Sequence, residues 1–410
     1  MSYPKNKIIN DPIYGFINIP FDLIWQLIEH PFFQRLRRIS QLGLSSLVYP
    51  GANHSRFHHA IGAMHLMNQA INTLKTKGHS ITKQEHEASL VAILLHDIGH
   101  GPFSHALENS IVNNLSHETI SLLFMQRLNE IFDQKLSMAI DIFQKKHKKT
   151  YLNQLISSQL DVDRLDYLNR DSFYSGVNEG IINSDRIIST LNVYNQELVV
   201  DYKGLYSIEK FIIARKLMYW QVYLHKTVLS AEYTLMQVLK RAKELAQNGF
   251  NIYSSPNFKV FLNEKNTINL NFFNKHKLLD KFALIDDSDL LTCLKSWTHS
   301  EDQVLKILSH SIINRKLLKI KTFEKKNIKK EIRRLQNIAV KKLKLTLNDT
   351  SYLIFPISIN NQTYNFVNNE IKFLKKNNVI VNLSEIKNEI NMNSKNSRIT
   401  KHYICYPKGL

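Results

Sequence analysis

The stretch His96-Asp97-Ile98-Gly99-His100-Gly101-Pro102-Phe103-Ser104-His105 packs three histidines and an aspartate into ten residues. An uncharged apolar run, Leu90 to Leu95, precedes it and reads as a buried helix. The end of that helix delivers His96 and Asp97 side by side. Buried ionisable groups lose solvation, so they need a metal, an ion pair or a proton partner. A bare His-Asp pair could simply cap a helix end. The whole stretch, with Gly99 and Gly101 opening space around it, points to a bound ligand.

Other residues could join it. His59 stands 37 residues before His96, in the first turns of a helix that Asn53 or Ser55 can cap and that runs through Ile61, Met64, Leu66 and Met67. Metals favour imidazole and carboxylate ligands held on rigid helices, so His59 is a candidate ligand. A second acidic constellation follows at Asp161 to Asp171. On a helix, Asp163, Tyr167 and Asp171 share one stripe, with Arg164 beside it. Asp166 and Arg170 form a separate i, i+4 pair on another face. Taken alone, so many charges describe a salt-bridged surface helix. Ser116 is a candidate N-cap, and His117 follows it at the positive end of a helix, where Glu108 could compensate a proton.

The elements that must position these groups are mostly helical. Residues 7–20 read as a small hairpin, and Phe21 to Glu29 as an amphipathic helix. Phe32 to Gly43 reads as a helix with Leu36, Ile39 and Leu42 inside and Arg35, Arg37 and Arg38 outside. Glu85 to Leu95 presents the opening stretch, and Lys210 to Leu245 reads as one long helix. Helical segments then run from Lys281 to Trp297 and from Asp302 to Leu345. Between Ser311 and Leu345 there are thirteen Lys or Arg and two acids. From Ser351 the pattern turns extended, at Tyr352–Phe355, Tyr364–Val367, Val379–Val381 and Tyr403–Tyr406. The expected divisions are a catalytic core over residues 1–250, a basic helical extension over 251–345 and a small α+β lobe over 346–410.

With 410 residues, 43% of them hydrophobic, the chain is ordinary for a globular protein of two or three domains. Gly (12) and Pro (9) are scarce, as expected of a helical chain. Cys293 and Cys405 cannot build a disulfide framework, which suggests a reducing compartment and a cytoplasmic protein. The first residues lack an apolar signal region, and no run approaches the roughly 20 apolar residues of a membrane span. A formal charge of +19 has two readings: a polyanionic partner, or a Lys-, Asn- and Ile-rich composition of AT-biased coding.

Together these residues resemble the HD-domain phosphohydrolases, and among them most nearly the deoxynucleoside triphosphate triphosphohydrolases. That group includes the vertebrate dNTPase that joins a sterile-alpha-motif domain to an HD domain. The matching pieces are Asn10-Asp11-Pro12-Ile13-Tyr14-Gly15, Phe33-Gln34-Arg35-Leu36-Arg37, Gln41-Leu42-Gly43, Tyr49-Pro50-Gly51-Ala52, Arg56-Phe57-His58-His59, His96 to His105, and Asp161 to Asp171. A looser match runs through Arg215, Tyr223 and His225-Lys226 to about residue 320. No sterile-alpha-motif domain is recognised, and the last 90 residues carry no resemblance. The fold implied is mainly α, an HD-domain helical bundle with a smaller C-terminal α+β lobe.

The resemblance implies that His59, His96, Asp97 and Asp163 hold one divalent metal. Such ligands suit Fe, Mn, Zn or Ni, while Mg²⁺ would accompany the nucleotide. It implies a dNTP substrate and release of inorganic triphosphate. His105 becomes the candidate general acid, supported by His117 and Glu108, where the family more often has Asp. Arg56, Arg164 and Arg215 match phosphate-binding positions, with Arg164 in place of a Lys. Gln41 and Asp171 would take the sugar 3′-hydroxyl, Leu42 and Tyr223 would crowd the 2′ position, and Tyr167 would line the sugar pocket. His100 would position phosphate or water, or only shape its loop. Lys7, Glu29, Gln34, Arg37, Arg315 and Lys319 match a regulatory nucleotide site, implying activation by GTP or dGTP and a homodimer or homotetramer. Two alternatives remain. One is an HD hydrolase acting on another phosphoester, such as a nucleoside monophosphate or an alarmone. The other is a single-stranded nucleic-acid-binding protein with a vestigial metal site, motivated by the basic segment.

Overall fold

The computed structural model describes residues 7–103, 110–111, 115–265, 268–275, 277–361, 370–386 and 399–410. His105 and Glu108 lie outside the described residues, as does the expected extended stretch Tyr364–Val367.

The helix Arg56–Thr76 is the axis of the site-bearing region. Its weakly one-sided sequence reflects its position, because Phe57, Ala60, Ile61, Met64, Leu66 and Met67 are buried around much of its circumference. The helix Lys83–Leu95 packs against it. Thr82 caps that helix by accepting from Glu85 N at 3.1 Å, and Glu85 returns the bond to Thr82 N at 2.8 Å. Leu90 to Leu95 are all at most 1% exposed, as the apolar run requires. Each such Leu or Ile contributes about 1.5–3 kcal/mol on burial.

The third site-bearing helix, Val162–Ser175, reaches the axis through Gly62. A Cβ added there would lie 2.0 Å from Asp166 Oδ1 and 2.1 Å from Arg170 Nη2. The missing side chain is therefore the space that the buried ion pair fills.

The hairpin expected at residues 7–20 forms from β1 (Lys7–Asp11) and β2 (Gly15–Ile19). Asp11 closes its turn by accepting from Ile13 N and Tyr14 N at 2.9 and 3.1 Å. Its other oxygen accepts from Arg170 Nη1 at 2.8 Å, tying the hairpin to the helix Val162–Ser175.

Two further sheets are present among the described residues. In one, β3 (Leu191–Tyr194) and β4 (Glu197–Asp201) form a hairpin that the pattern reading missed. There β4 runs parallel to β7 (Lys372–Leu374), which pairs with β8 (Ile380–Asn382). In the other, β9 (Ile399–Tyr406) lies between β5 (Lys319–Thr322) and β6 (Phe355–Asn361). The result is mainly α.

Several expected elements are cut differently. The helix read from Lys210 to Leu245 is two, Leu205–Met218 and Lys226–Gln247, joined by a π-turn at Tyr219–Tyr223. His225 is extended and accepts from Thr227 N at 3.3 Å, starting the second helix. The helix read from Phe32 to Gly43 is only Pro31–Gln34 followed by a 3₁₀ turn, Arg35–Arg38. Beyond it Ser40 is extended, bridged to Ser55, and its N–H donates to Asp287 Oδ2 at 2.8 Å. The run from Asp302 to Leu345 contains Gln303–Ile313, β5 and Ile328–Leu343, because pairing with β9 overrides local helix preference. Tyr352 and Leu353 end a helix, Leu347–Leu353, before the chain extends into β6.

Candidate functional site

The end of the helix Lys83–Leu95 places His96 and Asp97 against His59 and Asp163. His59 Nε2 lies 3.1 Å from Asp163 Oδ1 and 3.9 Å from Asp97 Oδ2. His96 Nε2 lies 3.4 Å from Asp97 Oδ1 and 3.5 Å from Asp163 Oδ1. All four sequence-read ligand positions therefore converge from three separate elements. Ligand atoms of His59, His96 and Asp163 lie within 4.8 Å of one another, as do those of Asp97, His100 and His117.

Each imidazole is oriented by its other nitrogen. His59 Nδ1 bonds to Asp166 Oδ2 at 2.8 Å, and His96 Nδ1 donates to the Ile93 carbonyl at 2.7 Å. Both Nε2 atoms are buried without a hydrogen bond, aimed into the gap between the carboxylates. Such outer partners select the tautomer that leaves Nε2 free to ligate. Burial alone would lower His59, but the Asp163 carboxylate beside it and the hydrogen-bonded Asp166 push it up to about 10. Burial would raise Asp97 and Asp163, yet the neighbouring histidines hold both well below the usual carboxylate range, with Arg56 also acting on Asp97. Positive charge is stabilised at this point, whether a proton or a metal supplies it.

Asp166 is fixed in turn by Arg170, whose Nε and Nη2 donate to its two oxygens, each at 2.9 Å. Asp166 and Arg170 are both fully buried, so this pair is no surface salt bridge.

The loop after Asp97 is held by contacts that the sequence did not reveal. Arg35, read as an outward arginine, is buried and donates to the carbonyls of Ile98, His100 and Ile285 at 3.2, 2.5 and 3.1 Å. Asp287 accepts from Phe103 N at 2.7 Å. The signal for Arg35 was its place in the stretch Phe33 to Arg37, while Asp287 lay inside an expected helix and gave no signal. Gly99 lets the loop press on the helix His117–Ile131: an added Cβ would lie 2.2 Å from the His117 carbonyl. His100 and His117 consequently stack, with centroids 3.9 Å apart.

A cavity of about 570 Å³ opens beside these groups. Arg56, Asp97, His100, His117 and Asp163 line one part of it, and Gln41, Leu42, Tyr167, Asp171 and Tyr223 another. Arg56 forms an ion pair with Asp97. Asp171 is clasped by His54 Nε2 and by the Tyr223 hydroxyl, each at 2.7 Å. Gln41 Oε1 is buried without a hydrogen bond.

Arg164 and Arg215 are not among the residues lining this cavity. Arg164 pairs with Asp161, and Arg215 Nη1 donates to Gln159 Oε1 at 3.2 Å. The Nε atom of each is buried and unbonded.

Lys7, Glu29, Gln34, Arg37, Arg315 and Lys319 also lie away from that lining. Lys7 sits over the Trp25 ring, Glu29 ends the helix Asp22–Glu29, and Arg37 Nε donates to Gln34 Oε1 at 2.8 Å. Arg315 Nε donates to the Leu47 carbonyl at 2.6 Å, while Lys319 opens β5.

Known proteins can be compared with this geometry. The HD domain model matches residues 56–171, which contain every residue of the His/Asp clusters, and the HD associated region model matches residues 182–266. The Bacillus subtilis protein YwfO is 32% identical over all of this chain and 95% of its own length. The chain belongs to the HD-domain phosphohydrolase family. A crystal structure of a phosphohydrolase from Bacteroides thetaiotaomicron is similar across 98% of this chain and 100% of its own, with 46% identity and a TM-score of 0.94. The Dictyostelium discoideum homologue of the deoxynucleoside triphosphate triphosphohydrolase SAMHD1 is 31% identical over 59% of this chain and 51% of its own length. Among the described residues of this HD phosphohydrolase, no helix is long and apolar enough to cross a membrane.

Proposed function

We propose that this HD phosphohydrolase cleaves deoxynucleoside triphosphates into deoxynucleoside and inorganic triphosphate. The observation that carries the reading is one cavity shared by the His/Asp clusters and by Gln41, Leu42, Asp171 and Tyr223. A phosphate-sized anion and a sugar can be held there together. The similarity to a SAMHD1 homologue supports the same substrate class.

The donor set fits a divalent metal. His59 and His96 present buried, unbonded Nε2 atoms toward two carboxylates held ionised. His59, His96, Asp97 and Asp163 would hold it; Fe, Mn, Zn or Ni suits such ligands, with Mg²⁺ arriving on the nucleotide. When bound, that metal supplies a Lewis acid that acidifies a water and offsets phosphoryl charge.

The chain's own residues do the rest. Arg56 and His100 line the cavity beside the carboxylates and meet the phosphates, and His117 lines it next to them. Arg164 and Arg215 are assigned further phosphate contacts by the resemblance alone. Asp171 and Gln41 take the 3′-hydroxyl, the Leu42 and Tyr223 side chains crowd the 2′ position, and Tyr167 lines the sugar pocket. Attack of water on the α-phosphorus breaks the bond to the 5′-oxygen, which must take a proton. His105 is assigned that donation, with His117 and Glu108 in support; for His105 and Glu108 this rests on sequence alone. Regulation by GTP or dGTP through Lys7, Glu29, Gln34, Arg37, Arg315 and Lys319, in a homodimer or homotetramer, belongs to the same reading. So does a reducing, cytoplasmic setting.

The test is a hydrolysis screen of dNTPs and NTPs with and without GTP, run beside Asp97→Asn. Triphosphate release from dNTPs, ribose exclusion and loss of turnover in the variant are expected. Orthophosphate or pyrophosphate release would point to another phosphoester substrate. Salt-sensitive single-strand binding without any turnover would point to a nucleic-acid-binding protein. Insensitivity of both turnover and solution mass to GTP and dGTP would remove the regulatory assignment.

A further inference from the structure

One part of the cavity holds a charged group that the assignments above leave unused. Glu232, on the helix Lys226–Gln247, lines it together with Leu229, Tyr233, Met236, Phe103 and Ile359. Its carboxyl also faces the backbone that follows Gln41 and Leu42. A Cβ added to Gly43 would lie 3.5 Å from Glu232 Oε1 and 3.5 Å from the Phe103 carbonyl oxygen. Burial lifts Glu232 up to about 7, and among the described residues no charged neighbour contributes. An acid placed among apolar side chains without a compensating cation costs stability. A few convergent polar groups on an otherwise apolar pocket wall are what fix ligand orientation.

We propose that Glu232 is a specificity-determining residue that reads the edge of the nucleobase and selects guanine. This rests on the dNTP reading of the cavity. With phosphates at the His/Asp clusters and the sugar at Gln41, Asp171 and Tyr223, the base extends toward Leu229, Glu232 and Met236. A carboxylate only accepts hydrogen bonds, through two oxygens. Guanine alone offers two adjacent donors on one edge, N1–H and the N2 amino group, matching both oxygens. Adenine and cytosine offer one donor beside an acceptor, and thymine offers one donor between two carbonyls. In each of those cases the second carboxylate oxygen would face a lone pair. Two donors also favour the ionised acid, repaying the burial that lifts it. The apolar neighbours supply the flat surface for the ring faces but no choice among bases.

The experiment measures kcat/KM for dGTP, dITP, dATP, dCTP and dTTP at pH 8, for the wild type and for Glu232→Gln. Inosine lacks the 2-amino group, so the wild type should turn over dGTP at least about tenfold better than dITP. Gln keeps the shape but pairs one donor with one acceptor, the complement of adenine. The dGTP-to-dATP ratio should therefore fall by about tenfold or more in Glu232→Gln. That ratio is read within one preparation, so partial misfolding or metal loss cancels. The dITP comparison needs no variant at all. Equal turnover of dGTP and dITP, a wild-type preference for another base, or an unchanged ratio in the variant overturns the assignment while dNTP hydrolysis stands. A wild type that hydrolyses no dNTP overturns the reading of the cavity and this assignment with it.

Discussion

The helices Val162–Ser175 and Ile328–Leu343 are both rich in charge, and the structure separates them. In the first, Asp166, Arg170 and Asp171 are at most 1% exposed. In the second, Ile328, Leu335 and Ala339 are buried, and Lys329, Lys330, Arg333 and Arg334 face solvent. The difference lies in partners from elsewhere in the chain. Asp11 and His59 complete the charges of Asp166 and Arg170, while His54 and Tyr223 complete Asp171. Among the described residues, Arg334 forms its ion pair with Glu331, on its own helix. A buried charge with remote partners is held in one place and can act on a ligand. An exposed charge beside a helical neighbour is mobile, solvated and worth little.

Five substitutions probe that contrast. Asp163→Asn removes an ionised group aimed at both histidines. Turnover should fall by roughly 10³-fold or more, with lower bound-metal content by elemental analysis. Near-normal activity and metal content would leave the first helix with no chemical role.

Arg170→Met leaves Asp11 and Asp166 facing each other without their cation. Denaturant unfolding should show a loss of about 3–5 kcal/mol, because breaking a buried pair strands a charge. A loss below about 1 kcal/mol would mean that these charges are solvated after all, and the contrast would collapse.

Tyr223→Phe removes one hydrogen bond to Asp171 but keeps the ring. We expect a loss of about 1.5–3 kcal/mol in transition-state binding, read as a lower dNTP kcat/KM. Discrimination against NTPs should persist, since the ring still fills the 2′ space. Acceptance of ribose would show that the hydroxyl, not the ring, does the excluding.

The smallest effect belongs to the basic helix. Lys329→Ala and Lys330→Ala should shift the unfolding midpoint by less than about 1 °C and leave turnover unchanged. A large shift would reveal a hidden partner for this face.

The metal-type cluster was legible because its parts carry local signatures. An uncharged run ending in His-Asp, with glycines in the next turn, marked one part of it, while the Asp163, Tyr167, Asp171 stripe of the later helix took its site reading from the family resemblance. Hydrophobic patterning likewise announced the N-terminal hairpin and the helix before the site. Arg35 was misread because its three acceptors are carbonyls 63, 65 and 250 residues away, which no local pattern encodes. The breaks at Leu224–His225 and around β5 were missed for a related reason. Local propensity favoured continued helix, and a cap or a distant strand decided otherwise.

The sequence by itself determined which residues could ligate, which helices present them and that the fold is mainly helical. That rests on helix periodicity, the cost of burying charge and, for the complete ligand set, the resemblance to the HD-domain phosphohydrolases. Only the tertiary structure decided that Asp166 and Arg170 are buried, that His100 stacks on His117, and that Glu232 shares a cavity with Asp163. Those facts depend on distances between residues far apart in the chain, set by how helices pack where Gly62 and Gly99 let them touch.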